Sequence, residues 1–112
     1  MTVASVHTQA CFNAWINCED LLVNLANAGT RLSKKVTKVI DECAFICMGT
    51  FHALKTSSVN TGRFAILCVG ICEECAELCE SLEEEKFIEC ARICRFCSKT
   101  MSSLATNNDV DD

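Results

Sequence analysis

Sulfur at helical intervals constrains this chain more than any other feature. Cys68, Cys72, Cys75 and Cys79 read C-x3-C-x2-C-x3-C, and Cys90, Cys94 and Cys97 repeat the run with Met101 in the fourth place. Steps of four, three and four keep side chains on one face of an α-helix. The chain holds 11 cysteines in 112 residues, and core seams drawn along four helical segments take in all of them. The first seam carries His7, Cys11, Ala14 and Cys18, then Leu21 or Leu22, and Leu25. The second carries Val36, Ile40, Cys43, Cys47, Phe51 and Leu54. The third is Cys68, Cys72, Cys75 and Cys79, and the fourth is Phe87, Cys90, Cys94, Cys97 and Met101.

The rest of the composition favours long helices. There is no proline and only four glycines, which argues against a turn-rich β fold. Segments of about 3–28, 33–55, 63–82 and 84–104 read as helices. Asn27-Ala28-Gly29 is a stop signal, and Ser33 is placed as an N-cap. Thr56 to Gly62 is loop chemistry, and Ser81 with Glu84 fits a capping box opening the fourth helix. Short connections between helices of this length predict an all-α fold, an antiparallel up-down-up-down four-helix bundle with a cysteine-lined core. A single domain spans 1–104, and 105–112 reads as an acidic, disordered tail.

Charge and hydropathy exclude several functions. The formal charge is −5, and no basic stripe points to nucleic acid. The excess acid lies in the second half, where Glu73, Glu74, Glu77 and Glu80 read as a solvated helix face. The longest apolar stretch, Phe64 to Cys72, is about nine residues, far short of the roughly 20 that span a bilayer. Met1 to Ala10 has no secretory or twin-arginine pattern. The expectation is a cytoplasmic protein in which thiols stay reduced and clustered cysteines bind metal. No Ser/His/Asp set, glycine-rich phosphate loop or paired catalytic carboxylates occur, so an enzyme is not expected.

Cysteine is also a small buried hydrophobe, but packing alone does not account for 11 in register. Neighbours at i and i+4 have Cβ atoms about 5–6 Å apart, whereas a disulfide wants about 3.8 Å. A linear S–metal–S unit with bonds near 2.3 Å spans about 4.6 Å, so each C-x3-C pair can clip one ion. Cys43–Cys47, Cys68–Cys72, Cys75–Cys79 and Cys90–Cys94 are such pairs, with Cys11, Cys18 and Cys97 adding sulfur from neighbouring helices. Soft thiolates select Cu(I), Zn(II) or iron–sulfur clusters. The helical spacing differs from the looped runs that hold iron–sulfur clusters, and structural zinc would need quartets drawn from several helices. Cu(I), content with two or three thiolates, fits best, several ions per chain. The C-x2-C pairs Cys72/Cys75 and Cys94/Cys97 sit mid-helix, not at the helix N-terminus of a redox pair, and neither is followed by the histidine of haem attachment.

With these segments the chain resembles the bacterial copper storage proteins and their cysteine-rich four-helix relatives. The matching stretches are Cys43-Ala-Phe-Ile-Cys47, Cys68-Val-Gly-Ile-Cys72-Glu-Glu-Cys75-Ala-Glu-Leu-Cys79 and Cys90-Ala-Arg-Ile-Cys94-Arg-Phe-Cys97. The resemblance implies cytosolic Cu(I) storage or sequestration and a homo-oligomer, tetramer or dimer. Two departures, Ala14 between the cysteines of the first helix and one pair on the second, imply a lower capacity. A zinc-binding or metal-free interaction bundle is the alternative.

The antiparallel layout gives the bundle unlike ends. Taking the start of the first helix as the top, His7, His52 and Met101 fall there, with Met48 and Met1 in the upper half. Leucines, valines, Ile40 and Phe87 fill the bottom. Neutral imidazole and thioether ligands at the top are placed to receive a soft ion and pass it down. Phe12, Trp15, Phe45 and Phe51 are expected to fill the bundle or a subunit interface.

Overall fold

Helix stop and start signals divide the chain much as its polar breaks suggest. The computed structural model describes residues 3–29 and 31–105. Met1 and the tail beyond 105 lie outside them. The helices are α1 (Val3–Asn27), α2 (Lys34–Lys55), α3 (Thr61–Glu80) and α4 (Glu85–Met101), and no strand occurs among the described residues.

Between α1 and α2 the punctuation works as the residue types require. Gly29 adopts φ +69° and its N–H donates to the Ala26 carbonyl at 3.1 Å, a left-handed helix stop that costs glycine nothing. Ser33 caps α2, its hydroxyl accepting from the Val36 N–H at 3.2 Å. Gly70, in contrast, lies inside α3 with open space where a Cβ would stand. Gly29→Ala should therefore destabilise the reduced apo protein by about 1 kcal/mol, and Gly70→Ala should stabilise it by about 0.5–1 kcal/mol. Urea unfolding of both variants checks this, and shifts of the same sign would contradict it.

The α3–α4 junction differs from the capping box read in the sequence. Ser81 ends α3, its hydroxyl donating back to the Leu78 carbonyl at 2.6 Å. Glu83 then turns left-handed at φ +63°, which breaks the register that would join Ser81 to Glu84. Glu84 takes the N-cap position with no side-chain cap bond. α4 also stops at Met101, and residues 102–104 form a turn.

Each helix packs against two others. α1 lies on α2 and α4, and α3 lies on the same pair, which makes a ring around one interior. Sulfur neighbours give the directions. Cys47 meets Cys68 at 3.9 Å while Cys43 meets Cys72 at 3.9 Å, so α2 and α3 are antiparallel. Cys11 lies against Cys97 and Cys18 against Cys90, so α1 and α4 are antiparallel too. Outside, Glu73 and Glu80 of α3 are not simply solvated. Both hold Arg95 of α4, at 2.6 and 2.9 Å, and Glu73 also accepts from the nearly buried Ser98 hydroxyl.

Candidate metal centre

All 11 cysteines are free thiols, and each is 0% exposed. The seams explain this: every cysteine falls on the inward face of its helix, so sulfur fills the middle of the interior. The sulfurs sit in van der Waals contact, and the short separations run mostly between helices. Cys47–Cys72 is 3.5 Å, Cys68–Cys97 is 3.7 Å and Cys43–Cys94 is 3.8 Å. Among the pairs one turn apart, Cys68–Cys72 approaches to 4.0 Å.

Sulfurs from neighbouring helices therefore join the pairs one turn apart. The thiols gather into cross-helix sets whose sulfurs all lie within 4.8 Å of one another. Cys18, Cys43, Cys75 and Cys94 form one set, a sulfur from each helix. Cys47, Cys68, Cys72 and Cys97 form the next toward the top. Cys75, Cys79 and Cys90 form a third below, sharing Cys75. Cys11 completes the upper tier against Cys68 and Cys97. Helix spacing was visible in the sequence, but the rotation of each helix about its axis was not, and that rotation decides which sulfurs meet.

The interior holds no charged side chain among the described residues. His7, Thr50 and Ser98 are the buried polar residues. With no cation beside them, the thiols tune one another. S–H donation from Cys11, then from Cys47, pulls Cys97 down to about 6. Cys68 is likewise lowered, first by Cys11. Cys11 itself is raised, by Cys68, by Cys97 and by burial. Cys72 is raised by Cys43 and Cys47 among others and by burial. A positive ion among them replaces shared protons with a charge that every sulfur prefers.

A family model for the copper storage protein, Csp, matches residues 2–106. The chain belongs to the copper storage protein family. A solved member of the family, described as the Cu(I)-bound copper storage protein BsCsp3, superposes with a TM-score of 0.83. The match covers 94% of this chain and 100% of that one at 22% identity, a likeness of fold. Among curated proteins, none matches the chain. The sulfur core described above is thus built on a copper storage fold.

Its two ends differ as the seams require. Leu21, Leu25, Val36, Val39, Ile40 and Phe87 are buried at the bottom. At the top, His7 is 4% exposed and Met101 is 0% exposed. Each stands one helical turn above a sulfur of the upper tier, His7 above Cys11 and Met101 beyond Cys97. His7 Nε2 hydrogen-bonds with the Ser103 hydroxyl at 3.1 Å, so the turn after α4 folds over the start of α1. His52 is not brought together with them. It is exposed on the outside, its ring 5.3 Å from Phe51 and 6.0 Å from Trp15. Trp15 and Phe51 are half-buried and pack with the exposed Phe12 in that outer cluster, and Phe45 is on the surface.

Thr50 was missed in the sequence. It is fully buried near the top, its hydroxyl donating to the Ile46 carbonyl at 2.8 Å. Its place three residues after Cys47 was the available signal, since a step of three stays on the seam.

Proposed function

We propose that this chain takes up and stores Cu(I) on the thiolates lining its core, several ions per chain, without catalysing a reaction. The observation that carries this reading is the contact network of 11 buried free thiols. A linear S–Cu–S unit with bonds near 2.3 Å needs sulfurs about 4.6 Å apart, and a trigonal one needs about 4.0 Å. Separations of 3.5–4.0 Å, within sets that extend to 4.8 Å, reach both with small rotamer changes. Each sulfur touches more than one other, so bridging ions can fill the core and balance its thiolates. A metal-free interaction bundle gives no reason for all 11 cysteines to lie at inward positions.

All 11 cysteines are proposed ligands, with His7 and Met101 as the receiving groups at the top. His52 would serve only as an outer docking point. Free thiols at these separations fit a reducing compartment, and we place the protein in the cytosol. No helix among the described residues is long and apolar enough to cross a membrane. Exposed Phe45, Leu67 and Phe96 support a homo-oligomer, dimer or tetramer, whose subunits cover them.

Anaerobic titration of the reduced protein with Cu(I) against a competing chelator tests the proposal. Several tightly held ions per chain, with the thiols of the folded protein becoming unreactive, are expected. One ion or none would sink it. Because loading releases thiol protons, retention must weaken as pH falls. The rate has its own pH dependence. Cys97, lowered to about 6, is a ready thiolate above that pH and is lost as a nucleophilic ligand below it. Uptake should slow roughly tenfold per pH unit below that point, and stopped-flow loading between pH 7 and pH 5 would show a flat profile if Cys97 plays no part.

A further inference from the structure

We propose that the same core holds two preformed tetrahedral tetrathiolate sites for divalent cations of the Zn(II), Cd(II) and Co(II) class. One is Cys47, Cys68, Cys72 and Cys97; the other is Cys18, Cys43, Cys75 and Cys94. This rests on sulfur geometry and does not require that the protein store copper.

A tetrahedron with zinc–sulfur bonds near 2.3 Å has sulfur–sulfur edges of about 3.8 Å. In the upper set four of the six edges measure 3.5, 3.7, 3.9 and 4.0 Å, and the other two lie within 4.8 Å. In the lower set Cys43–Cys94 is 3.8 Å, and all four sulfurs again lie within 4.8 Å of one another. Four sulfurs all within 4.8 Å of one another exceed what a two- or three-coordinate ion uses, and they match in number what a closed structural zinc site uses. The sets share no sulfur, so both can be filled at once. The remaining trio reuses Cys75 and cannot form a third site beside them.

The unused thiols have a role in this arrangement. Cys11 lies against Cys68 and Cys97, and Cys90 lies 4.0 Å from Cys18. Left protonated, they donate S–H bonds to ligand sulfurs and spread the excess negative charge. Each ion binds four thiolates and releases four protons, with no change of oxidation state. With four ligands per ion and no open position, the sites are closed to substrate.

The test is anaerobic titration of the reduced full chain with Co(II) alone, then with Zn(II) as displacer. The expected result is saturation at two ions per chain with the intense visible bands of tetrahedral tetrathiolate cobalt. Cys97→Ala should halve the stoichiometry to one, while Cys11→Ala and Cys79→Ala leave it at two. Should a variant not fold, cadmium-113 resonance of the unaltered chain decides: two signals in the tetrathiolate range support the sites. A pale octahedral cobalt spectrum, or a count unchanged by Cys97→Ala in the folded protein, overturns them. Cu(I) titration of the same preparation separates the readings, since copper binding without cobalt binding overturns this inference alone.

Discussion

Saturating the reduced protein with Cu(I) should raise its unfolding temperature by at least about 15 °C. A ligand that binds only the folded chain adds roughly 4 kcal/mol when its free concentration is a thousand times its dissociation constant. For a domain of this size each kcal/mol is worth about 4 °C. The structure supplies the reason that binding should be confined to the folded state. The sulfur sets span helices, and Cys18, Cys43, Cys75 and Cys94 come from all four. No short stretch of unfolded chain can present such a set, so unfolding must release the ions or scatter their ligands.

Calorimetry of apo and loaded protein, both anaerobic, measures the shift. The apo bundle should still unfold cooperatively, because Ile40, Phe87, Leu21 and Leu25 form a hydrocarbon core at the lower end without metal. Loading that left the transition unmoved would mean the ions sit on local pairs within single helices. The cross-helix sets would then have no part in storage.

Much of this was legible from spacing alone. A repeat of four and three places Cys68, Cys72, Cys75 and Cys79 on one face whatever the neighbours are, and Gly29 and Ser33 act locally, so the bundle follows from patterns along the chain. Which sulfurs touch does not. The contact of Cys47 with Cys72 at 3.5 Å depends on the relative rotation and height of α2 and α3, and these are set by packing across the whole interior. The same limit explains His52. His52 stands two residues past the buried Thr50, a turn of about 200° on a helix, which carries it from the core to the surface. The box at Ser81 failed for another reason: a left-handed Glu83 is a conformational choice that no residue type announces.

The unlike ends of the bundle lead to the second large effect. A Met101→Leu, His7→Gln double variant should load Cu(I) about tenfold more slowly, a rise of roughly 1.4 kcal/mol in the barrier, while binding nearly as many ions. Leucine conserves the volume of fully buried Met101 at a cost under about 1.5 kcal/mol, and glutamine keeps a hydrogen-bonding group within reach of Ser103. Neither replacement offers a soft ligand. An ion arriving at the top must then pass to Cys11 and Cys97, one turn below, without an intermediate partner, through a region sealed by Thr50 and Ala65. The bottom cannot compensate, since it presents only hydrocarbon around Ile40 and Phe87. Stopped-flow loading gives the rate and equilibrium titration gives the capacity. A fall in capacity matching the fall in rate would make His7 and Met101 storage ligands instead. An unchanged rate would place the ion's path elsewhere, and the outer group of His52, Trp15 and Phe51 would be the next surface to vary.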